Sequence, residues 1–107
     1  MQLSKKINIS VFFPAHNEEK NIGQLTDSLI KVLSEVANNY EIIIVNDGSA
    51  DGTGRVAREL CERHSFVKLV EHKKNLGYGA AVKSGLRAAQ YEWIFLLMAI
   101  ISLTLRK

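Results

Sequence analysis

Cysteine and proline are nearly missing from this chain, with one of each in 107 residues. A single thiol, Cys61, excludes an internal disulfide and fits a reducing compartment. It stands beside Leu60 in a helical pattern, so a packed thiol is expected. No signal peptide shows. Met1 to Lys6 is polar, and Asn8 and Ser10 interrupt the apolar run from Ile7 to Phe13. The strongly apolar stretch from Trp93 to Leu105 is shorter than the ~20 residues a membrane-spanning helix needs. The formal charge is +3, and the basic residues are scattered or in short pairs such as Lys5-Lys6 and Lys73-Lys74. A basic stripe with interleaved aromatics is lacking, which argues against a nucleic-acid partner. These absences leave a globular, cytoplasmic chain as the expectation.

What is present suits one compact domain with a modest core: 47% of the residues are apolar. Strand-like and helix-like segments alternate. Ile7 to Phe13 is apolar and β-branched, and Pro14 is expected to end that strand. Asn17 reads as the cap of a first helix, with Glu18 and Glu19 in its first turn. Ile22, Leu25, Leu29, Val32 and Val36 recur at helical spacing and predict one buried stripe. Asn38-Asn39 reads as a stop. The continuous run Glu41 to Val45 suits a parallel strand covered on both faces. A polar, Gly-rich loop from Asn46 to Gly54 leads to a second helix, with Val56, Leu60 and the Arg63 stem inward. Phe66 to Val70 is a third strand, and His72 to Leu76 a loop. A third helix spans Gly79 to Ala89, with Val82, Leu86 and Ala89 inward and Ala80 and Ala81 allowing close packing. Glu92 to Leu97 begins a fourth strand.

The order β-α-β-α-β-α-β predicts an α/β fold with a Rossmann-like, mostly parallel sheet and helices on both faces. Ligands bind such sheets at the carboxyl ends of the strands, near the switch point. Three polar loops belong at those ends. In Pro14-Ala15-His16-Asn17-Glu18, the His16 ring can stack on a base and Glu18 can accept bonds from base or ribose; taken alone, the loop also reads as an ordinary capped helix start. In Asn46 to Thr53, Asp47 follows a buried strand and can accept from a nucleobase N–H, while Asp51 and Thr53 suit capping. In Asn75 to Ala81, Gly77 and Gly79 permit close backbone approach before a helix N-terminus that suits phosphate, and Lys83 adds charge one turn later. A tight helix start explains this last loop equally well. It is not a dinucleotide fingerprint, which belongs in the first βα turn, where this chain has no glycine.

Pro-Ala-His-Asn-Glu, Val-Asn-Asp-Gly-Ser-Ala-Asp-Gly-Thr and Asn-Leu-Gly-Tyr-Gly-Ala-Ala, in this order, resemble the family 2 glycosyltransferases of GT-A fold. The chain is similar above all to those of the dolichyl- or polyprenyl-phosphate mannosyl- or glucosyltransferase type. The resemblance covers residues 7–97 and makes residues 1–107 a single partial domain with a divergent tail, 98–107. It implies an inverting transfer from a UDP- or GDP-linked sugar to an acceptor such as a polyprenyl phosphate, aided by a divalent metal, Mg or Mn. It implies nucleotide-sugar contacts for Pro14, His16, Glu18, Asp47, Gly77 and Lys83, and work at a cytoplasmic membrane face. Asn46 replaces the acid often seen first in its pair, which leaves the choice of base open.

The family's fourth strand runs into Asp-x-Asp, whose acids hold the metal. Here Trp93-Ile94-Phe95-Leu96-Leu97 is followed by Met98-Ala99-Ile100, so the metal ligands are absent, as is the acceptor half with its general base. The departure of a nucleoside diphosphate develops charge that metal and fixed dipoles stabilise. The chain alone is therefore expected to lack catalytic residues and activity. Two further readings remain: a fragment that binds nucleotide or pairs through its apolar C-terminal strand, with self-association, and a tail read from a shifted frame.

Overall fold

The computed structural model describes residues 7–98. The expectations for Met1 to Lys6 and for the tail from Ala99 onward lie outside the described residues. Four parallel strands, β1 (Ile7–Ala15), β2 (Ala37–Asp47), β3 (Val67–His72) and β4 (Trp93–Leu96), alternate with α1 (Ile22–Val36), α2 (Thr53–Arg63) and α3 (Tyr78–Ala88). The sheet order is β3-β2-β1-β4. The chain steps from β1 outward through β2 to β3, then crosses back over the sheet to place β4 on the other side of β1. That reversal is a topological switch point between β1 and β4.

Period-2 alternation divides the core into two layers. Ile9, Val11, Phe13, Ile42 and Ile44 pack with Ile22, Leu25, Leu33, Ala57 and Leu60 of α1 and α2. Phe12, Ile43 and Val45 face Ala81 of α3. Gly85 explains how closely α3 approaches. A Cβ there would lie 2.1 Å from Phe12 Cδ1, so this helix position accepts no side chain without moving the ring or the helix. Cys61 is partly buried against the first layer, and burial pushes its thiol up, as fits a packing residue.

Several expectations at the edges of elements are corrected. Pro14 does not end β1; it pairs with Val45 inside the strand. Phe12 O accepts from Leu97 N, so Pro14, two residues on, turns its donor-less nitrogen to the same side. There β4 pairing stops at Phe12, and no ladder bond is lost. Asn17 does not cap α1, and Glu18 and Glu19 precede its first turn: the helix begins at Ile22 after Asn21, with no acid in that turn. Asn38-Asn39 is no stop, because β2 starts at Ala37 and runs through both, solvent-exposed. Val32 and Leu86 point outward, 57% and 49% exposed. Spacing alone placed them in the stripes, but α1 meets the sheet through Ile22, Leu25 and Leu33, and α3 through Ala81 and Gly85.

Candidate functional site

Three loops meet at the carboxyl end of the sheet. Asn17 joins two of them. Its backbone takes the left-handed conformation, φ 57°, which Asn tolerates better than most residues. That turn aims its side chain at the second loop, where Oδ1 accepts from Ala50 N at 2.8 Å and Asp51 N at 3.3 Å. Glu18 N donates to Thr53 Oγ1 at 2.8 Å, and Gly52 N to Glu19 Oε1 at 2.9 Å. Asp51 Oδ1 accepts from Thr53 N, meeting a helix-start amide as expected of it. Gly48, with φ 65°, brings the second loop against the third: a Cβ there would lie 2.2 Å from Asn75 N.

Asp47 ends β2 and organises the third loop. Oδ1 accepts from His72 Nδ1 at 2.8 Å and Leu76 N at 2.9 Å, and Oδ2 from Gly77 N at 3.0 Å. Burial pushes this carboxyl up, but those bonds outweigh it and hold it below its ordinary 3.8. His16 Nδ1 donates to the Asp47 carbonyl at 2.8 Å, which fixes the ring. Its Nε2 accepts from Asn17 Nδ2 and Asn75 Nδ2, both at 3.3 Å. Glu18 Oε1 accepts from Asn21 Nδ2 at 2.6 Å.

A cleft of about 360 Å³ opens between these loops at the switch point. Pro14, His16, Glu18, Asp47 and Gly77 line it, so five of the six residues singled out from sequence come together. Lys83 does not line it; its side chain is exposed one turn into α3. Ala15, Asn75, Tyr78, Leu97 and Met98 complete the lining and were missed. Tyr78 could have been found from its place at the helix start; its hydroxyl reaches across the cleft lining to Met98 Sδ at 3.2 Å. The amides of Tyr78, Gly79 and Ala80 open α3 and have no partner within the helix. With an aromatic rim, two carboxylates and the start of α3 at Gly77 and Tyr78, the cleft has the parts to receive a planar base and an anionic group.

The parallel sheet, its switch point and the cleft over the strand ends define an α/β protein of the kind whose ligand sites lie where the strand order reverses. The sequence model of the glycosyl transferase family 2 matches residues 10–98, and this chain belongs to that family. The dolichyl-phosphate beta-glucosyltransferase ALG5D of Trichomonas vaginalis is 34% identical over 99 residues, covering 88% of this chain and 30% of that protein. The mannosyltransferase PcManGT of Pyrobaculum calidifontis, solved with GDP-Man and Mn2+, superposes with a TM-score of 0.74 at 26% identity, over 83% of this chain and 26% of that one. S. aureus TarS, solved with UDP-GlcNAc, gives 0.70 at 26% identity, over 85% and 26%. The sheet thus matches part of the GT-A fold. The chain spans about a third or less of the length of the relatives it matches.

The divalent metal implied by the family does not fit the described residues. No group of three or more His, Cys, Asp or Glu among them could hold a metal ion. Of the two acids in the cleft, Asp47 is committed to three donors and Glu18 to Asn21. Positions 98–100 carry no acid in the sequence. Also among the described residues, no helix is long and apolar enough to cross a membrane.

Proposed function

We propose that the cleft is the nucleotide half of a glycosyl-transfer site, taking the nucleoside and diphosphate of a UDP- or GDP-linked sugar. The observation that carries this reading is the gathering of Pro14, His16, Glu18, Asp47 and Gly77 around one cleft at the switch point. The fixed His16 ring offers a face to the base. Asp47 Oδ2 has one bond in this structure and can take another from a base N–H. The α3 amides suit phosphate, and Lys83 acts at longer range. On this reading the chain is one partial GT-A domain from the cytoplasmic face of a membrane, and the acceptor is a polyprenyl phosphate, in line with its dolichyl-phosphate beta-glucosyltransferase relatives. It does not transfer sugar alone, because Met98-Ala99-Ile100 supplies no Asp-x-Asp acids.

Titration with UDP and GDP, followed by amide NMR, tests the reading. Shifts are expected at Ala15 to Glu18, Asp47 and Gly77 to Ala80, and none near Glu41. Absence of saturable shifts for both nucleotides would overturn it. Sugar transfer by the purified chain, with nucleotide-sugar, Mn2+ and polyprenyl phosphate, would overturn the inactivity.

A second reading rests on β4. Trp93, Ile94, Phe95 and Leu96 are 52%, 37%, 56% and 39% exposed on an edge strand. Such an edge favours pairing with another chain. Sedimentation should show self-association that Phe95→Lys reduces; a monomer at all concentrations would count against it.

A further inference from the structure

We propose that His72, backed by Ser84, is a positioning residue for the cleft: it sets the carboxylate of Asp47 so that one acceptor position is left for the ligand. This rests on the nucleotide reading above. His72 and Asp47 end neighbouring strands and are register partners, so both side chains leave the sheet on the α3 face. A carboxylate held ionised can only accept. His72 Nδ1 therefore carries the proton in the 2.8 Å bond to Asp47 Oδ1. On its other side the ring meets α3, where Nε2 and the Ser84 hydroxyl are hydrogen-bonded at 2.7 Å.

The consequence is a count of acceptor positions. Each carboxylate oxygen takes two donors. Oδ1 is filled by His72 and Leu76 N, while Oδ2 takes Gly77 N alone. Without His72 the carboxylate is held by the Leu76 and Gly77 amides alone, and a second acceptor position opens on Oδ1. With it, the remaining Oδ2 position has one direction. The sequence carboxylate–imidazole–hydroxyl matches a hydrolytic triad, but Ser84 lines neither the 360 Å³ cleft nor the polar cavity beside Asn46 and Glu71. Its hydroxyl thus has no substrate to attack there, and it serves as a strut between helix and strand. Because Gly85 seats α3 tightly on Phe12, the strut has a fixed length.

The test compares UDP and GDP dissociation constants for the wild-type chain, His72→Phe, His72→Asn and Ser84→Ala, with circular dichroism to confirm folding. His72→Phe is expected to weaken binding about tenfold, the size of one lost aligned contact. His72→Asn keeps a donor near the imidazole Nδ1 position and should recover most of that loss. Ser84→Ala, a milder change that keeps the proposal testable if His72→Phe does not fold, should weaken binding about threefold. Nitrogen NMR of the His72 ring should report a protonated Nδ1. Wild-type affinity in His72→Phe and Ser84→Ala overturns the positioning role alone, as does equal weakening in His72→Asn and His72→Phe. A wild-type chain that binds neither nucleotide overturns the cleft reading, and the positioning role with it.

Discussion

Glu41 and Asp47 stand on the same face of β2 and hold opposite ends of α3. Glu41, 1% exposed, lies below the C-terminal end of the helix. Oε1 accepts from Lys68 Nζ at 2.8 Å and Gln90 Nε2 at 3.1 Å; Oε2 accepts from Ser10 Oγ at 2.7 Å and Gln90 N at 2.8 Å. All four acceptor positions are filled. Asp47, at the N-terminal end, has three filled and borders the cleft. Burial pushes Glu41 up as well, and its bonds to Lys68, Ser10 and Gln90 hold it below its ordinary 4.5. A buried acid with every position filled can act solely as a fastener. One with a position left over toward a cavity can also meet a ligand.

The largest expected effect breaks the fastener. Glu41→Ala strands the fully buried Ser10 hydroxyl and the Gln90 amide and should cost about 3 kcal/mol. Denaturant melts should show that loss while the folded fraction binds nucleotide as before. Next comes the element both acids share. Gly85→Ala pushes α3 off Phe12, costs about 2 kcal/mol by overpacking, and unlike Glu41→Ala also weakens nucleotide binding. Asp47→Ala should lie lower in stability, about 1.5 kcal/mol, since water in the cleft can reach the freed donors; its nucleotide affinity should fall at least as far as that of His72→Phe. If Glu41→Ala and Asp47→Ala changed affinity equally, the comparison would fail.

The mildest perturbation is acid. Both carboxyls have folded values below their unfolded ones. Their stabilisation is full above the ordinary 4.5 and 3.8 and drains as pH falls through the lowered folded values. A pH series of melts should therefore be flat above those values and decline below them, and Glu41→Gln should flatten the upper part of the decline.

Most of the element order was legible, because apolar runs in this chain alternate between periods of two and of about four. Edges were not. Asn38 and Asn39 read as punctuation, yet they extend β2 with side chains in water, where Asn8 Oδ1 accepts from Asn39 N. Asn17 read as a cap, because nothing local reveals that its side chain is claimed by Ala50 and Asp51, on another loop. Asp47 was legible as a site residue from its place after a buried strand, but not its partners, which arrive from β3 and the loop before α3. His72 fell into a supposed loop. Counting the alternation of β3 one step further, past Val70, would have put it on the same face as Asp47. Lys83 followed from spacing along the helix, which says nothing of whether a side chain reaches the cleft.

The position of β4 has a consequence for how the molecule assembles. Ile9 pairs with Trp93 and Phe12 with Leu96, the first of the described strands against the last. A ribosome delivers β1, β2 and β3 in order, and these can form a three-stranded sheet as they emerge. Throughout that time one side of the largely buried β1 is left without a neighbour, since sequence-distant pairings form late. The nascent sheet thus carries an open apolar seam at β1 that closes only when β4 slots in. That seam, and not the finished surface, is where a misplaced strand from another chain would first compete.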